Sequence, residues 1–326
     1  MVAGRLDLLS AQDYDFGMPK TRSTAVLGLC LALAACGGGN PASGPGPSGP
    51  LKIVTTTGMI ADAAGRVAGE LARVEALMGP GVDPHLYKAS ESDVRRLSEA
   101  DLILYNGLHL EGKMGDILVK LARSRPVVAV SETVPSQELR EPPEFAGQYD
   151  PHIWFDVRLW SRTLEPIAAA LAEIDPGHEA TYRASAEAHR QELSELDAWV
   201  ERRIAEIPPG QRILVTAHDA FGYFGRRYDM RVAGLQGIST LAEAGLADVE
   251  RVVDAVVDNR VKAIFVESSV PRRSIEAVQG ACRARGWEVS IGGQLFSDAM
   301  GPPGTPEGSY PGMVRHNVNT IVDALK

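Results

Sequence analysis

Residues 179–207 have the sequence E-A-T-Y-R-A-S-A-E-A-H-R-Q-E-L-S-E-L-D-A-W-V-E-R-R-I-A-E-I, which contains neither glycine nor proline. Apolar and small side chains recur in it at steps of three and four residues, the spacing of one helix face. This stripe consists of Tyr182, Ala186, His189, Leu193, Leu196, Val200 and Ile204. The sequence therefore predicts one helix, roughly 40 Å long, that ends before Pro208-Pro209-Gly210.

On both sides of this helix, short apolar runs alternate with amphipathic segments. The predicted strands are residues 51–55, 74–78, 102–105 and 126–130 before the helix, and 212–216, 230–235, 262–267 and 287–291 after it. Such alternation is typical of parallel sheets covered by helices on both faces. We therefore predict an α/β fold with two lobes, each a mostly parallel four-stranded sheet flanked by helices, joined by one long rigid linker helix.

The predicted boundaries are residues 51–178 for the first metal-binding lobe, 179–207 for the linker helix and 208–326 for the second. A single rigid helix between two lobes restricts their opening, in contrast to the hinge closure of lobes that are joined by flexible strands.

The residues before the first lobe have the features of an export segment. An apolar run at 24–35 follows two basic residues and closes on Leu33-Ala34-Ala35-Cys36, so residues 18–36 are interpreted as a lipoprotein signal peptide that ends at lipobox Cys36. An ordinary signal peptide is the alternative. Residues 1–17 are acidic where a signal should be basic, which indicates a mis-assigned start and makes Met18 the better one. Residues 37–50, rich in Gly, Pro and Ser, predict a flexible tether.

Composition excludes some classes of partner. The chain has 326 residues, 44% hydrophobic and 23% charged, which fits a globular protein of about two domains. Its formal net charge of -9 argues against nucleic acid or an anionic membrane surface as the principal partner. If Cys30 leaves with the signal and Cys36 is acylated, Cys282 is the only remaining thiol and the fold has no disulfide.

Four polar residues lie where predicted strands or irregular segments end. His218 follows the strand 212–216 at a predicted strand-to-helix turn, and Asp298 follows the last strand. His85 and His152 each end an Asp-Pro-His tripeptide, whose proline fixes the backbone before the imidazole. Ligands of open α/β sheets bind in the crevice outside the carboxyl ends of the strands, so these four side chains are candidates for one site.

Three imidazoles and a carboxylate suit a borderline divalent cation, zinc above all, whereas manganese tolerates the same set less tightly. Residues so distant in sequence can converge only in a cleft between the lobes. The alternative interpretations are surface turns for the two tripeptides, a packed histidine for His218 and a helix cap for Asp298.

Seven motifs occur in order along the chain. They are D-P-H-L-Y (83–87), N-G-L-H-L-E (106–111), D-P-H-I-W-F-D (150–156), T-A-H-D-A-F-G-Y-F (216–224), L-Q-G-I-S-T (235–240), I-F-V-E-S-S-V-P (264–271) and G-G-Q-L-F-S-D-A-M-G (292–301). Together they resemble the cluster A-I solute-binding proteins of zinc and manganese ABC importers, and within these the TroA-like members. The resemblance covers residues 52–326.

The resemblance implies that the metal ligands of the family fall on His85, His152, His218 and Asp298. It also implies a monomeric, exported lipoprotein, periplasmic or on the outer face of the cell membrane, which delivers zinc or manganese to an ABC permease with its ATPase. Manganese-specific members typically place a glutamate at the third position, so His218 favours zinc or dual use. The acidic segment 132–150 lacks the histidines that zinc-specific members often carry there.

The remaining polar residues are weaker candidates. His109 matches a family motif and is expected to pack or to support a ligand. Glu243 and Glu267 are candidates to accept a hydrogen bond from a ligating imidazole, with helix-start or interface charges as the alternative. We expect His189 to be packed on the helix stripe. Two further histidines, predicted to lie on the surface, are His178 and His316.

Two other functions are compatible with part of the sequence. A hydrolytic zinc site needs an open coordination position and a general base, and the chain contains no H-E-x-x-H motif, so we expect it not to be an enzyme. A surface lipoprotein adhesin, or another interaction protein with a structural metal, is the alternative function, although it gives the four convergent residues no transport role.

Overall fold

A computed structural model describes residues 49–145 and 147–326 of the chain. The predicted mis-assigned start, the signal peptide and nearly all of the tether lie outside these residues. Within the described part, no helix is both long enough and apolar enough to cross a membrane.

The first half is built on a parallel sheet with helices on both faces. Its elements are β1 (Leu51–Thr55), α1 (Gly58–Ala68), β2 (Ala72–Ala76), α2 (Glu91–Glu99), β3 (Leu102–Tyr105), α3 (Gly115–Leu121), β4 (Val127–Ala129), α4 (Val157–Arg162) and α5 (Leu164–Ile174). The strand order is β2-β1-β3-β4. Leu102 and Leu104 face the core with α1 and α5, whereas Ile103 faces the core with α2 and α3. The central strand β3 is continuously apolar because helices cover both sides, whereas the edge strand β2 alternates and exposes Arg73 and Glu75.

A long helix, α6 (Glu179–Ile204), connects the two halves. Every residue of the predicted stripe is buried, His189 included. The helix packs against α1, α4 and α5 of the first half and against the C-terminal helix of the second. Its buried face belongs to one apolar core that runs from Leu51 to Leu325. The two halves therefore share a core, which limits their separation.

The second half repeats the alternation of strands and helices. Its elements are β5 (Ile213–His218), α7 (Gly222–Tyr228), β6 (Arg231–Gln236), α8 (Leu246–Asp258), β7 (Ala263–Glu267), α9 (Arg273–Ala284), β8 (Ser290–Leu295) and α10 (Tyr310–Leu325). The strands are hydrogen-bonded as two parallel pairs, β5-β6 and β7-β8, and β5 lies beside β7. The predicted fold class, parallel sheets flanked by helices and joined by a long helix, is confirmed; the division of the second sheet into pairs is the difference.

Several element boundaries differ from the sequence-based prediction by a few residues, and two of the differences are explained by hydrogen bonds. The long helix ends at Ile204 rather than Ile207 because the next amides, Glu206 and Ile207, donate three residues back, to Arg203 and Ile204, in a tightened last turn. The last strand begins at Ser290 rather than Trp287. The Trp287 backbone N–H donates to the Cys282 carbonyl and its indole to the Val261 carbonyl, so this residue closes the end of α9.

β6 lies against the end of β5 at a position that has no room for a side chain. A Cβ on Gly234 would lie 2.5 Å from the Asp219 backbone nitrogen and 2.7 Å from the carbonyl carbon of His218. The glycine thus lets β6 approach the segment that presents His218.

We predict that Gly234→Ala lowers the free energy of unfolding by about 1–3 kcal/mol, because backbone on both strands must move. Thermal melting followed by circular dichroism would measure the change. Gly65→Ala in α1 is the matched control, since a Cβ there meets nothing within 4 Å and alanine favours a helix. Equal melting temperatures for the two variants would contradict the close approach.

Candidate metal centre

The structure brings the four predicted ligands together in one buried cluster. His85 lies in the turn after β2, His152 in the segment before α4, His218 at the end of β5 and Asp298 after β8. All four side chains are buried. One ligand atom from each lies within 4.8 Å of the other three. Both halves therefore contribute to a single site.

Both Asp-Pro-His tripeptides form the same local turn. The Asp83 carboxylate accepts the backbone N–H of His85 at 2.9 Å, and the Asp150 carboxylate accepts that of His152 at 3.0 Å. The Asp150 Oδ1 also lies 2.8 Å from His152 Nδ1. An N–H at Nδ1 leaves the lone pair of His152 Nε2 free, which is the form in which imidazole binds metals.

His218 is held by a glutamate from a neighbouring strand. Oε1 of Glu267, the last residue of β7, accepts the His218 backbone N–H at 2.9 Å, and Oε2 lies 2.6 Å from His218 Nδ1. This contact forms because β5 and β7 lie next to each other. It fixes the imidazole with Nε2 directed at Asp298, 3.3 Å from Oδ2.

Three of the distances between ligand atoms are close to those of a tetrahedral zinc site. The Nε2 atoms of His85 and His152 are 3.3 Å apart, and His152 Nε2 lies 3.5 Å from Asp298 Oδ1. Four ligands at zinc's bond lengths of about 2.0–2.1 Å would be separated by roughly 3.3–3.4 Å. Within the described atoms, His218 Nε2 and Asp298 Oδ1 are buried without a hydrogen-bond partner. Buried polar atoms are seldom left unpaired, and a cation would satisfy both.

The charges of the cluster compensate one another. Burial alone would lower the pKa of His218, but Glu267 and Asp298 outweigh it and raise the pKa well above its usual value. Burial would also lower the pKa of His152, but Asp150 and Asp298 outweigh it and raise that pKa above its usual value. The pKa of Asp298 is held well below its usual range despite burial, because it faces two imidazoles. His85 differs, since burial lowers its pKa to about 3.

An arginine balances the carboxylate behind His152. The Arg140 guanidinium donates to Asp150 Oδ2, while the Arg140 backbone N–H donates to the Tyr223 hydroxyl at 3.0 Å. That hydroxyl donates to the Asp150 carbonyl at 2.9 Å. Gly222 makes room, because a Cβ there would lie 1.2 Å from the guanidinium. The acidic segment is thereby joined to α7 of the second half.

Of the weaker candidates, one contacts a predicted ligand and the others do not. Glu267 contacts a predicted ligand, whereas Glu243 is exposed and has no such contact among the described residues. His109 has an exposed side chain, a positive φ of 64° and no place in the cluster. His178 pairs with Asp175 at the surface.

The roles of Asp83, Asp150 and Arg140 were missed at the level of sequence. A signal for the two aspartates was present, because each stands two residues before a predicted ligand in the repeated tripeptide. No sequence signal indicates Arg140, whose partner lies ten residues away across an irregular segment.

Two α/β lobes joined by one long helix, with a buried cluster of three histidines and an aspartate between them, define the class of metal-binding solute-binding proteins. Residues 53–324 match the family model described as zinc-uptake complex component A, periplasmic (ZnuA). The chain belongs to this family.

Individual relatives agree with this assignment. The chain is 47% identical to the manganese-binding lipoprotein MntA of Bacillus subtilis, over 93% of this chain and 98% of the relative. It is 50% identical to the zinc-binding protein TroA of Treponema pallidum, over 84% and 88% of the two chains. The solved structure of that periplasmic zinc-binding protein superimposes with a TM-score of 0.83, covering 85% of this chain and 99% of TroA.

The Glu267 contact generates a prediction. Glu267→Gln should weaken zinc binding by roughly 10–100-fold, because the amide no longer supplies the charge that orients and polarises the His218 ring. Competition with a chromogenic chelator would measure the affinity.

Glu243→Gln is the matched control, since it removes the same charge from an exposed position without contact to the cluster. Equal losses in the two variants would mean that net charge, rather than the contact with His218, sets the affinity.

Proposed function

We propose that this protein is the extracytoplasmic solute-binding component of an ABC importer, which captures zinc and/or manganese between its lobes and delivers the ion to a membrane permease powered by an ATPase. The ligands are His85, His152, His218 and Asp298. The observation that carries the proposal is the buried cluster of these four residues, in which one ligand atom of each lies within 4.8 Å of the others and His218 Nε2 and Asp298 Oδ1 make no hydrogen bond.

The proposed lobes are residues 51–178 and 208–326, with 179–207 as the linker. The extent of α6, Glu179–Ile204, supports this division. Because the lobes share an apolar core, loading requires little relative movement of the two halves.

The ligand chemistry leans toward zinc without excluding manganese. Three nitrogens and one oxygen suit zinc, which is usually tetrahedral, whereas manganese prefers more oxygen ligands in an octahedral arrangement. Of the relatives named above, MntA is named as manganese-binding and TroA as zinc-binding. Cellular loading also depends on the availability of each metal.

The membrane anchor is the lipidated Cys36, on the periplasmic or outer face of the cell membrane, and the protein acts as a monomer. Several relatives that are named metal-binding or metal ABC transporter lipoproteins support the anchor. The fourteen-residue tether after the cysteine, residues 37–50, gives the folded part reach toward a permease in the same membrane.

Transport fits the site better than catalysis does. Four protein ligands complete a tetrahedral shell, whereas a hydrolytic zinc keeps one position for water. The adhesin alternative gives a buried metal cluster only a structural task, and no observation on the described residues favours it.

Metal content gives the first test. The purified chain should hold one zinc or manganese ion, and both His218→Ala and Asp298→Ala should reduce affinity by more than the roughly 10–100-fold typical of a ligand's supporting partner. Mass spectrometry of the metal and competitive titration would measure this.

His316→Ala is the control for loss of a histidine, since His316 lies outside the cluster on α10. A wild-type protein that binds no ion after titration, or affinity indifferent to both ligand substitutions, would remove the transport function and leave the fold.

The pKa directions generate a second prediction. An incoming ion must displace the protons that His152 and His218 hold with raised pKa values. Affinity should therefore fall as the pH falls, with onset above the ordinary imidazole pKa of about 6.5. Each displaced proton contributes about tenfold per pH unit. Equal zinc affinities near neutral pH and near about pH 5 would contradict an imidazole-rich site.

A further inference from the structure

A cavity of about 810 Å³ lies outside the metal centre and is lined by none of the four proposed ligands. Its walls come from residues 137–138 of the irregular segment, from α4, from the middle of α6 and from Arg226 on α7. The two halves and the linker helix thus all contribute to it. Cavities of about 300–1,000 Å³ are typical of sites for small molecules.

The floor of this cavity is negatively charged. Asp156 and Asp197 both line it, and they are 6% and 7% exposed. Asp197 accepts hydrogen bonds from the Arg227 guanidinium and, at 2.9 Å, from the Tyr228 hydroxyl. The same guanidinium pairs with Glu201 at 2.6 Å. Arg227 therefore compensates two other carboxylates and leaves the charge of Asp156 without an ion-pair partner among the described residues.

Asp156 has one carboxylate oxygen to spare. As the N-cap of α4, its Oδ1 accepts the backbone N–H groups of Arg158 and Leu159 at 3.0 and 3.2 Å. Its Oδ2 accepts no hydrogen bond from residues 49–145 or 147–326. Burial raises the pKa of Asp156 despite these backbone N–H groups and Arg227, and Asp197 adds to the increase. Because a buried carboxylate oxygen is costly without a donor, a cationic N–H group would stabilise it.

The rim of the cavity is positively charged. Arg158 and Arg226 line it with exposed side chains, and neither forms an ion pair within the described part of the chain. Arg226 donates to the Glu138 carbonyl at 2.7 Å, which leaves its charge uncompensated. The cavity thus offers two guanidinium groups to an anion at the rim and one carboxylate oxygen to a cation at the floor.

This arrangement of charges matches a zwitterion. Guanidinium groups bind phosphate well because their fork of N–H donors fits its oxygens, so a pair of them favours a phosphate. A primary ammonium carries three N–H donors and suits the free oxygen of Asp156. We propose that the cavity binds a phosphoethanolamine group, with its ammonium on Asp156 and its phosphate between Arg158 and Arg226. A soluble phosphodiester and a lipid headgroup share this chemistry. The inference does not depend on metal transport.

The first test compares two soluble ligands. The purified chain is titrated with glycerophosphoethanolamine and with glycerophosphocholine by isothermal titration calorimetry. The two compounds carry the same phosphate, but the quaternary ammonium of the choline compound has no N–H to donate. Loss of a hydrogen bond to a charged group should weaken binding of the choline compound at least about tenfold.

Substitutions test the two charged groups separately. Asp156→Asn keeps an oxygen to cap α4 and removes the charge, so affinity for glycerophosphoethanolamine should fall at least about tenfold without loss of the helix. Arg158→Gln should weaken binding at least about fivefold. The matched controls are Glu187→Gln and Arg162→Gln, since Glu187 already pairs with Arg190 and the Arg162 guanidinium with a carboxylate. Both controls should stay within about twofold of wild type.

Three results would overturn the proposal: no binding of glycerophosphoethanolamine up to about 10 mM, equal binding of the choline compound, or unchanged affinity in Asp156→Asn. Dihexanoyl phosphatidylethanolamine separates the two sources of the group. Affinity equal to that of the glycerol compound would assign the site to a lipid headgroup, and loss of binding with the acyl chains would assign it to a soluble diester. A chain that binds the ethanolamine compound but no zinc would overturn the transport function alone.

Discussion

The apolar core shared by the two halves is the constraint on which the rest of the structure depends. The buried stripe of α6 packs on helices from both sides of the linker, and the same core includes Leu51 at one end of the described chain and Leu325 at the other. Separating the halves would cost about 25 cal/mol for each Å² of apolar surface that becomes exposed to water. The distance between the segments that carry His85 and Asp298 is therefore set by packing remote from the metal centre.

Buried charged groups must be balanced by groups of opposite charge, and each charged residue of the metal centre has such a partner. Asp298 faces His152 and His218, and each of these imidazoles has its own carboxylate on Nδ1, from Asp150 or Glu267. Arg140 in turn offsets Asp150. Buried charges persist in proteins when they are paired and hydrogen-bonded in this way. A divalent ion would replace the protons that otherwise balance the carboxylates. Metal binding would thus exchange one source of positive charge for another.

Much of this architecture could be predicted from the sequence, and the limits have physical causes. The long helix and the strands were predictable because uninterrupted periodicity reports burial directly. The end of α6 and the start of β8 were misplaced by a few residues because hydrogen bonding in the last turn and the anchoring of Trp287 are not visible in periodicity. The four clustered residues were predicted from their chemistry, from their positions at the ends of strands or irregular segments, and from the resemblance to a known family. Glu267 could not be separated from Glu243, because only the adjacency of β5 and β7 brings it to a histidine 49 residues away.

The shared core also bears on how a transporter would tell loaded carriers from empty ones. Two forms of nearly the same overall shape present nearly the same docking surface, so empty protein would compete for the permease unless some local feature reported the ion. The turn of His85 and the loop of Thr240 meet at the surface beside exposed Leu86 and Leu241. The permease would then detect a bound ion by how well this small surface patch is ordered. It would distinguish loaded from empty protein by local rigidity.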